Sequence, residues 1–103
     1  MVTIRLFCAA GMSTSMLVTK MQESAKKNEI EVDIEAFPEA EMAKRLEGVN
    51  VVLLGPQVRY ALNKAKKVCE PKGIPVEVIS PASYGMMDGA KVLDQALKLA
   101  NNK

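Results

Sequence analysis

The chain has 103 residues, of which 49% are hydrophobic, and its formal net charge at pH 7 is +2. This length and composition are typical of one compact domain that buries its own core, so we expect residues 1–103 to form a single domain. The interspersed charges argue against a strongly electrostatic partner such as duplex DNA, and no nucleic-acid partner is expected.

Apolar periodicity predicts the secondary structure of the first half of the chain. Residues 2–7 alternate in the manner of a strand, and a helical stripe over residues 14–25 predicts a helix that closes near Asn28. Residues 30–36 alternate apolar with acidic side chains, which indicates a half-exposed strand. A short helix is then predicted to open at Pro38 and Glu39 and to end near Gly48.

The second half continues the alternation of strands and helices. The predicted elements are an apolar strand over Val51–Leu54 stopped by Gly55-Pro56, a helix over residues 58–68 broken by Pro71 and Gly73, a strand over residues 74–79, a loop or helix start over residues 84–88 and a final helix over residues 92–100. Such a β-α-β-α-β-α-β-α order favours an α/β fold with an open, twisted parallel sheet and helices on both faces.

Strand character indicates how the four strands are arranged. The third strand is apolar on both faces, as a central strand is, whereas the second and fourth carry acidic residues at alternate positions, as edge strands do. The predicted order is therefore 2-1-3-4. This order makes the first strand central, and the sequence does not explain why Thr3 and Arg5 lie in it.

Cys8 ends the first predicted strand, at the edge where such a sheet binds ligands. In an open parallel sheet, ligands bind outside the carboxyl ends of the strands where the strand order reverses, here between the first and third strands. Cys8 lies at the end of the first strand, and Gly55-Pro56-Gln57 follows the third. Both segments are predicted to lie at one site.

The residues after Cys8 suit a phosphate. Small residues, three hydroxyls and a helix start offer backbone N–H donors and the positive end of a helix dipole, which lower a thiol pKa and hold an anion. The predicted site is Cys8 as nucleophile with a phosphate-binding loop of Ala9, Ala10, Gly11, Met12, Ser13, Thr14 and Ser15. One of the three hydroxyl residues is also expected to cap the helix. A structural cysteine beside a tight turn and a capped helix fits the same spacing, and this alternative stays open on spacing alone.

Several other chemistries are excluded. Histidine is absent, which removes histidine-based catalysis, histidine metal sites and any phosphohistidine on this chain. The loop lacks the glycine-lysine-hydroxyl ending of a nucleotide P-loop, the spaced glycines of a dinucleotide site and the second cysteine of a dithiol redox site. We expect no cofactor and no metal. Cys69, near the end of a helix, is expected to be structural.

Cysteine usage and hydropathy indicate where the chain resides. Two cysteines without a secretory signal do not indicate a disulfide framework. The longest apolar run, Val51–Leu54, is far shorter than the ~20 residues that cross a bilayer. A soluble, cytoplasmic protein is expected.

The stretch Leu6–Ser15 resembles the phosphocysteine loop of enzyme IIB subunits of the bacterial sugar phosphotransferase system. The resemblance is closest to the lactose, cellobiose and chitobiose family and extends over the chain. The further matching stretches are Glu35–Glu39, Val52–Gln57, Tyr84-Gly85 and Met87–Gly89. The resemblance implies a four-stranded parallel sheet flanked by helices, which is also the fold that the periodicity predicts.

The resemblance also implies an activity and its partners. A IIA protein phosphorylated on histidine would pass its phosphoryl group to Cys8, and the phosphocysteine would donate it to a sugar bound in the membrane IIC permease. The sugars of this family are typically β-linked disaccharides such as cellobiose, diacetylchitobiose or lactose. The chain would then be a cytoplasmic phosphotransferase located beside the permease.

The loop is also similar to the phosphate loop of low-molecular-weight tyrosine phosphatases. Where those enzymes place an arginine that clamps the transition state, this chain has Thr14, and no obvious acid lies in the loop. Hydrolysis by water is therefore expected to be slow, which suits a carrier. A phosphatase-like hydrolase and a non-catalytic anion-binding module remain the alternatives.

A few residues are expected to have supporting roles. Gln57 and Tyr84 follow the third and fourth strands, and either could support the loop. Asp88 is expected to cap the last helix rather than act as an acid. The methionines Met12, Met86 and Met87 could form an adaptable docking rim for IIA and IIC. We also expect the loop to be mobile without phosphate and to order around it, because Gly11 permits several backbone conformations.

Overall fold

The computed structural model describes residues 1–9 and 12–101, and the side chains of these residues except 12–14. Its four strands are β1 (Val2–Cys8), β2 (Val32–Pro38), β3 (Val51–Leu54) and β4 (Val76–Val78). All three strand pairings are parallel, and the order in the sheet is β2-β1-β3-β4. The predicted α/β class and the strand order 2-1-3-4 are confirmed.

Helices connect the strands. The α-helices are α1 (Met12–Lys27), α2 (Leu62–Cys69), α3 (Pro81–Gly85) and α4 (Gly89–Asn101). Three 3₁₀-helices span Glu39–Lys44, Pro56–Ala61 and Glu70–Lys72.

Two apolar cores lie on opposite faces of the sheet, so helices cover both faces as predicted. Side chains of α1 and α4, including Leu17 and Val92, pack with Ile4 and Leu53 in one core. Side chains of α2 and the 3₁₀-helices, including Cys69, pack on the other face. The four residues of β3 are all buried, as expected of a central strand in a parallel sheet.

The structure explains the polar residues of β1. The guanidinium of Arg5 donates to the backbone oxygen of Asp33 at 3.1 Å and forms ion pairs with Asp33 at 3.3 Å and Glu35 at 3.8 Å. Thr3 donates its backbone N–H to Asn50 Oδ1 at 2.8 Å. Arg5 thus lies in a central strand because the neighbouring edge strand, β2, supplies its carboxylates.

Most predicted elements have somewhat different bounds in the structure, and three of these differences have a local cause. The helix predicted over residues 58–68 is a 3₁₀-helix followed by α2, because Val58 has non-helical dihedrals (φ −116°, ψ 25°). The segment after β2 is 3₁₀ rather than α-helical, and Pro38 pairs with Cys8 in the sheet. The fourth strand is shorter than residues 74–79, because Ile74 donates its N–H to Cys69 O at 3.0 Å and Pro75 has no N–H to offer.

Helix α4 begins against the backbone of α1. A Cβ on Gly89 would lie 2.4 Å from the carbonyl carbon of Lys20 and 2.6 Å from the backbone nitrogen of Met21. Only a residue without a side chain fits there, so Gly89 sets how closely the two helices on this face approach each other.

Candidate active site

Cys8 lies at the carboxyl edge of the sheet, at the switch between β1 and β3. It is the last residue of β1, and its neighbour Phe7 pairs with Leu54, the last residue of β3. The N–H of Gly55 donates to Phe7 O at 2.9 Å, which extends this pairing by one residue. The sequence therefore predicted correctly that Cys8 and the segment after the third strand meet at one edge.

The side chain of Cys8 is buried, with 2% of its surface exposed. Residues alternate faces along a strand, so Cys8 points to the face of Ile4 and Leu6, which α1 covers. A thiol in this position is held by the end of a rigid central strand rather than by a loop.

Helix α1 begins at Met12, close after Cys8 in the chain. The N–H groups of a helix's first turn have no intrahelical acceptor, and with the helix dipole they attract an anion. No acidic residue lies in that first turn to oppose one. The range of α1 includes Ser13, Thr14 and Ser15. The expectation that one of them caps the helix stays a prediction, because the side chains of residues 12–14 lie outside the described part of the chain.

Much of the predicted phosphate loop lies outside the described residues. These are Ala10 and Gly11, together with the side chains of Met12, Ser13 and Thr14. The two loop residues with described side chains, Ala9 and Ser15, are exposed. The expected ordering of the loop around phosphate likewise remains a prediction.

Gly55 leaves room for a polar group beside Cys8. A Cβ on Gly55 would lie 3.4 Å from the Cβ of Cys8 and 2.7 Å from Oε1 of Gln57. The backbone of Gly55 (φ −62°, ψ 149°) is one that any residue adopts. Its missing side chain therefore leaves space for the Gln57 amide, which a Cβ would displace, and is not required by the backbone conformation. The sequence placed Gly55 at the predicted site but did not reveal this close approach, which exists only in the folded chain.

Gln57 and Tyr84, the two residues predicted to support the site, contact each other. Nε2 of Gln57 donates a hydrogen bond to Oη of Tyr84 at 3.0 Å. Tyr84 is 9% exposed and belongs to the core beneath α1 and α4. The bond joins the segments that follow β3 and β4.

Asp88 and the methionines are among the remaining residues that the sequence singled out. Asp88 caps α4 as predicted, since its Oδ1 accepts the N–H of Lys91 at 3.2 Å. Of the proposed methionine rim, Met86 is 76% exposed, whereas Met87 is half-buried against the core. Met16 and Tyr60 are further exposed apolar side chains that the sequence did not single out.

The second cysteine is structural, as predicted. Cys69 is fully buried in the core beneath α2. Burial raises the pKa of the Cys69 thiol, and the nearby charge of Lys72 partly opposes that rise. A buried thiol with a raised pKa is held neutral and is a poor nucleophile.

Among residues 1–9 and 12–101, no group of three or more histidine, cysteine or acidic side chains could hold a metal ion. Within the same part of the chain, no helix is both long enough and apolar enough to cross a membrane.

Known proteins match this chain over nearly its whole length. The family model "PTS system, Lactose/Cellobiose specific IIB subunit" matches residues 3–95. A galactose-specific EIIB component and a cellobiose-specific EIIB component, both of Lactococcus lactis, are each 45% identical over 95% of both chains. An oligo-beta-mannoside-specific EIIB component of Bacillus subtilis is 40% identical over 97% of both chains.

Solved structures agree with the fold and the family. A cellobiose-specific phosphotransferase IIB component of Borrelia burgdorferi is 43% identical, with a TM-score of 0.82 over 99% of this chain and 94% of that one. The lactose-specific IIB domain of Streptococcus pneumoniae has a TM-score of 0.86 over 95% and 96% of the two chains, and at 20% identity it supports the fold alone. The chain therefore belongs to the lactose/cellobiose-specific IIB subunits of the sugar phosphotransferase system, a family of transferase components that act in sugar uptake.

Proposed function

We propose that this chain carries a phosphoryl group on Cys8, accepting it from a phosphohistidine IIA protein and donating it to a sugar in the IIC permease. The observation that carries the proposal is the position of Cys8. It ends a central strand at the switch point of the sheet, and α1 begins close after it. The membership of the chain in the IIB family agrees with this chemistry.

The chemistry assigned to Cys8 follows from its surroundings. The nucleophile is the thiolate. The chain has no histidine of its own, so the imidazole of the donor histidine takes the thiol proton, and the first-turn N–H groups and the dipole of α1 attract the anionic phosphoryl group. The same donors, with the loop residues Ala9, Ala10 and Gly11, would hold the phosphoryl oxygens. Because Cys8 is 2% exposed, attack requires a local rearrangement at this edge when the donor protein docks.

Each transfer balances in bonds and protons. In the first, the sulfur of Cys8 attacks phosphorus, the S–P bond forms and the P–N bond of the donor histidine breaks, and the thiol proton passes to the imidazole. In the second, a sugar hydroxyl attacks, the O–P bond forms and the S–P bond breaks, and the hydroxyl proton returns to sulfur. No water is consumed in either step.

The residue at position 14, Thr14, favours transfer over hydrolysis. A phosphatase with this kind of loop uses an arginine there to neutralise charge that develops in the transition state, and this chain has Thr14. Without that positive charge the phosphocysteine reacts slowly with water and persists until a better-placed acceptor arrives.

The relatives of this chain are named for different sugars. Three relatives of similar identity are named for galactose, cellobiose and oligo-beta-mannosides, so similarity of this kind does not select a substrate. We propose a β-linked disaccharide, bound by the permease, with residues 1–103 acting as one IIB domain in the cytoplasm beside that permease.

A phosphorylation assay tests acceptance by Cys8. The full chain is incubated with a phosphorylated IIA protein of this family, and the modified peptide is located by mass spectrometry. We expect one phosphoryl group on the peptide that contains Cys8, and its loss on treatment with iodine, which cleaves S–P bonds. Cys8→Ser is expected to abolish transferable phosphate. The matched control is Cys69→Ala, which removes the other thiol and is expected to be phosphorylated normally.

The assay also separates the alternatives. Turnover of an aryl phosphate that Cys8→Ala abolishes would identify a phosphatase-like hydrolase instead. No covalent adduct, with unchanged binding of IIA by Cys8→Ala, would identify a non-catalytic binding module.

A further inference from the structure

We infer that the side-chain amide of Gln57 binds the phosphoryl group on Cys8. We infer also that this amide rotates by half a turn when Cys8 passes from the unphosphorylated to the phosphorylated state. In the unphosphorylated chain Oε1 faces Cys8, and in the phosphorylated chain Nε2 does. Gly55 provides the space for this amide, and Tyr84 anchors its other end. The inference rests on the proposed function, since it concerns the phosphocysteine.

The geometry of three residues carries the inference. Oε1 of Gln57 and Cβ of Cys8 lie 2.7 Å and 3.4 Å from one point, the position that a Cβ on Gly55 would take. The amide therefore packs over Gly55, on the same side as Cys8. Its other polar atom, Nε2, is held by Tyr84 Oη at 3.0 Å. The amide is held through Nε2 by Tyr84, and its oxygen lies over Gly55, the residue beside Cys8.

That orientation suits a thiol and opposes a phosphate. A carbonyl oxygen can accept a hydrogen bond from a thiol, but it repels the anionic oxygens of a phosphoryl group. A phosphorylated Cys8 therefore favours the amide turned by half a rotation, with Nε2 donating to a phosphoryl oxygen. Such a charge-assisted hydrogen bond is about twice as strong as a neutral one.

Tyr84 can keep its hydrogen bond with Gln57 when the amide turns. A phenol hydroxyl both donates and accepts. In the present orientation it accepts from Nε2 of Gln57, and after the turn it would donate to Oε1. The Gln57–Tyr84 hydrogen bond is kept with its direction reversed. Phosphorylation of Cys8 therefore changes the hydroxyl of Tyr84, after β4, from an acceptor to a donor in this bond.

Gly55 is the residue on which this arrangement depends. A methyl group there would stand 2.7 Å from Oε1, well inside van der Waals contact, so the amide would be pushed away. Gly85 offers a matched control, because a Cβ on Gly85 would meet no heavy atom within 4 Å.

The test measures the equilibrium of the phosphoryl group between a phosphorylated IIA protein and the full chain. We expect Gln57→Glu to shift this equilibrium toward IIA by about ten- to a hundredfold at neutral pH, since the isosteric carboxylate cannot donate and repels the phosphoryl group. The shift should shrink as pH falls toward about 5, where the carboxyl begins to protonate and can donate. Gly55→Ala should shift the equilibrium the same way at all pH values, and Gly85→Ala should leave it unchanged.

A second readout follows the amide itself. Two-dimensional NMR of the Gln57 side-chain amide should show its N–H resonances moving on phosphorylation of the wild-type chain, and moving less in Tyr84→Phe, which lacks the hydroxyl. If wild-type Cys8 is phosphorylated and Gln57→Glu and Gly55→Ala both keep the wild-type equilibrium, the inference fails while the proposed function stands. If wild-type Cys8 takes no phosphoryl group, both fail.

Discussion

Cys8 and Gly55 lie side by side at the ends of two neighbouring parallel strands, with 3.4 Å between the Cβ of Cys8 and the place where a Cβ on Gly55 would be. The pairing of Phe7 with Leu54 sets this distance, because Cys8 directly follows Phe7 and Gly55 directly follows Leu54. The site is thus fixed by the register of the sheet, so changes elsewhere affect it mainly through the stability of the fold.

Gly89→Ala is expected to destabilise the fold by about 2 kcal/mol. The added methyl would meet the backbone of Lys20 and Met21, which cannot turn aside as a side chain can, so α1 and α4 must separate. Chemical denaturation measures the free energy of unfolding. Gly85→Ala, with open space around its Cβ, should change that energy by less than about 0.5 kcal/mol. Equal effects of the two substitutions would refute the close packing at Gly89.

The ion pair of Arg5 and Asp33 is expected to contribute about 1 kcal/mol. The Arg5 side chain is 13% exposed but that of Asp33 is 44% exposed, so solvent screens the pair and keeps its strength modest. A double-mutant cycle with Arg5→Met and Asp33→Asn measures the coupling. The exposed pair Lys98–Asp94 is the comparison, with an expected coupling of about 0.3 kcal/mol. A coupling for Arg5–Asp33 no larger than this would contradict the prediction.

Asp88→Ala is expected to lower the free energy of unfolding by about 1 kcal/mol, because α4 loses its N-terminal cap. Asp88→Asn should retain most of that energy, since the amide oxygen can still accept the N–H of Lys91. Both variants should accept a phosphoryl group from IIA at the wild-type rate. A large loss of transfer in Asp88→Asn would mean that the carboxyl takes part in the chemistry.

Stability should depend on pH through Cys69. Burial raises the pKa of Cys69 in the folded chain above its ordinary value of 9.0, so above that pH the unfolded chain releases this proton first. Stability is therefore fully present below pH 9.0 and falls as pH rises toward the folded pKa, by at most about 1.4 kcal/mol per pH unit. The measurement is the free energy of unfolding of the wild type and of Cys69→Ala, each determined by denaturation over a series of pH values. The wild type should lose stability above pH 9.0 relative to Cys69→Ala. Parallel series would show that Cys69 contributes nothing to this loss.

The strand order was predictable because burial leaves a direct trace in composition. Val51–Leu54 is apolar on both faces, and the edge strands carry charge. The meeting of Gln57 and Tyr84 was also within reach, since both follow strands that end at one edge of a parallel sheet. In each case the residues themselves carry the signal.

Arg5 and Gly89 show what the sequence does not reveal. The carboxylates that hold Arg5 become its neighbours only when β1 and β2 align in register. Gly89 is indistinguishable in sequence from any glycine at a helix start, and its closeness to Lys20 depends on how two distant helices pack.

The central claim is that Cys8 holds a phosphoryl group for transfer and not for hydrolysis. The most direct measurement isolates the phosphorylated chain, removes the IIA donor, and follows the phosphate with and without membrane vesicles that carry the permease and a β-linked disaccharide. We expect the phosphocysteine to persist in water and to lose its phosphoryl group to the sugar when the vesicles are added. Release of inorganic phosphate at the same rate in both samples, with no sugar phosphate formed, would contradict the account.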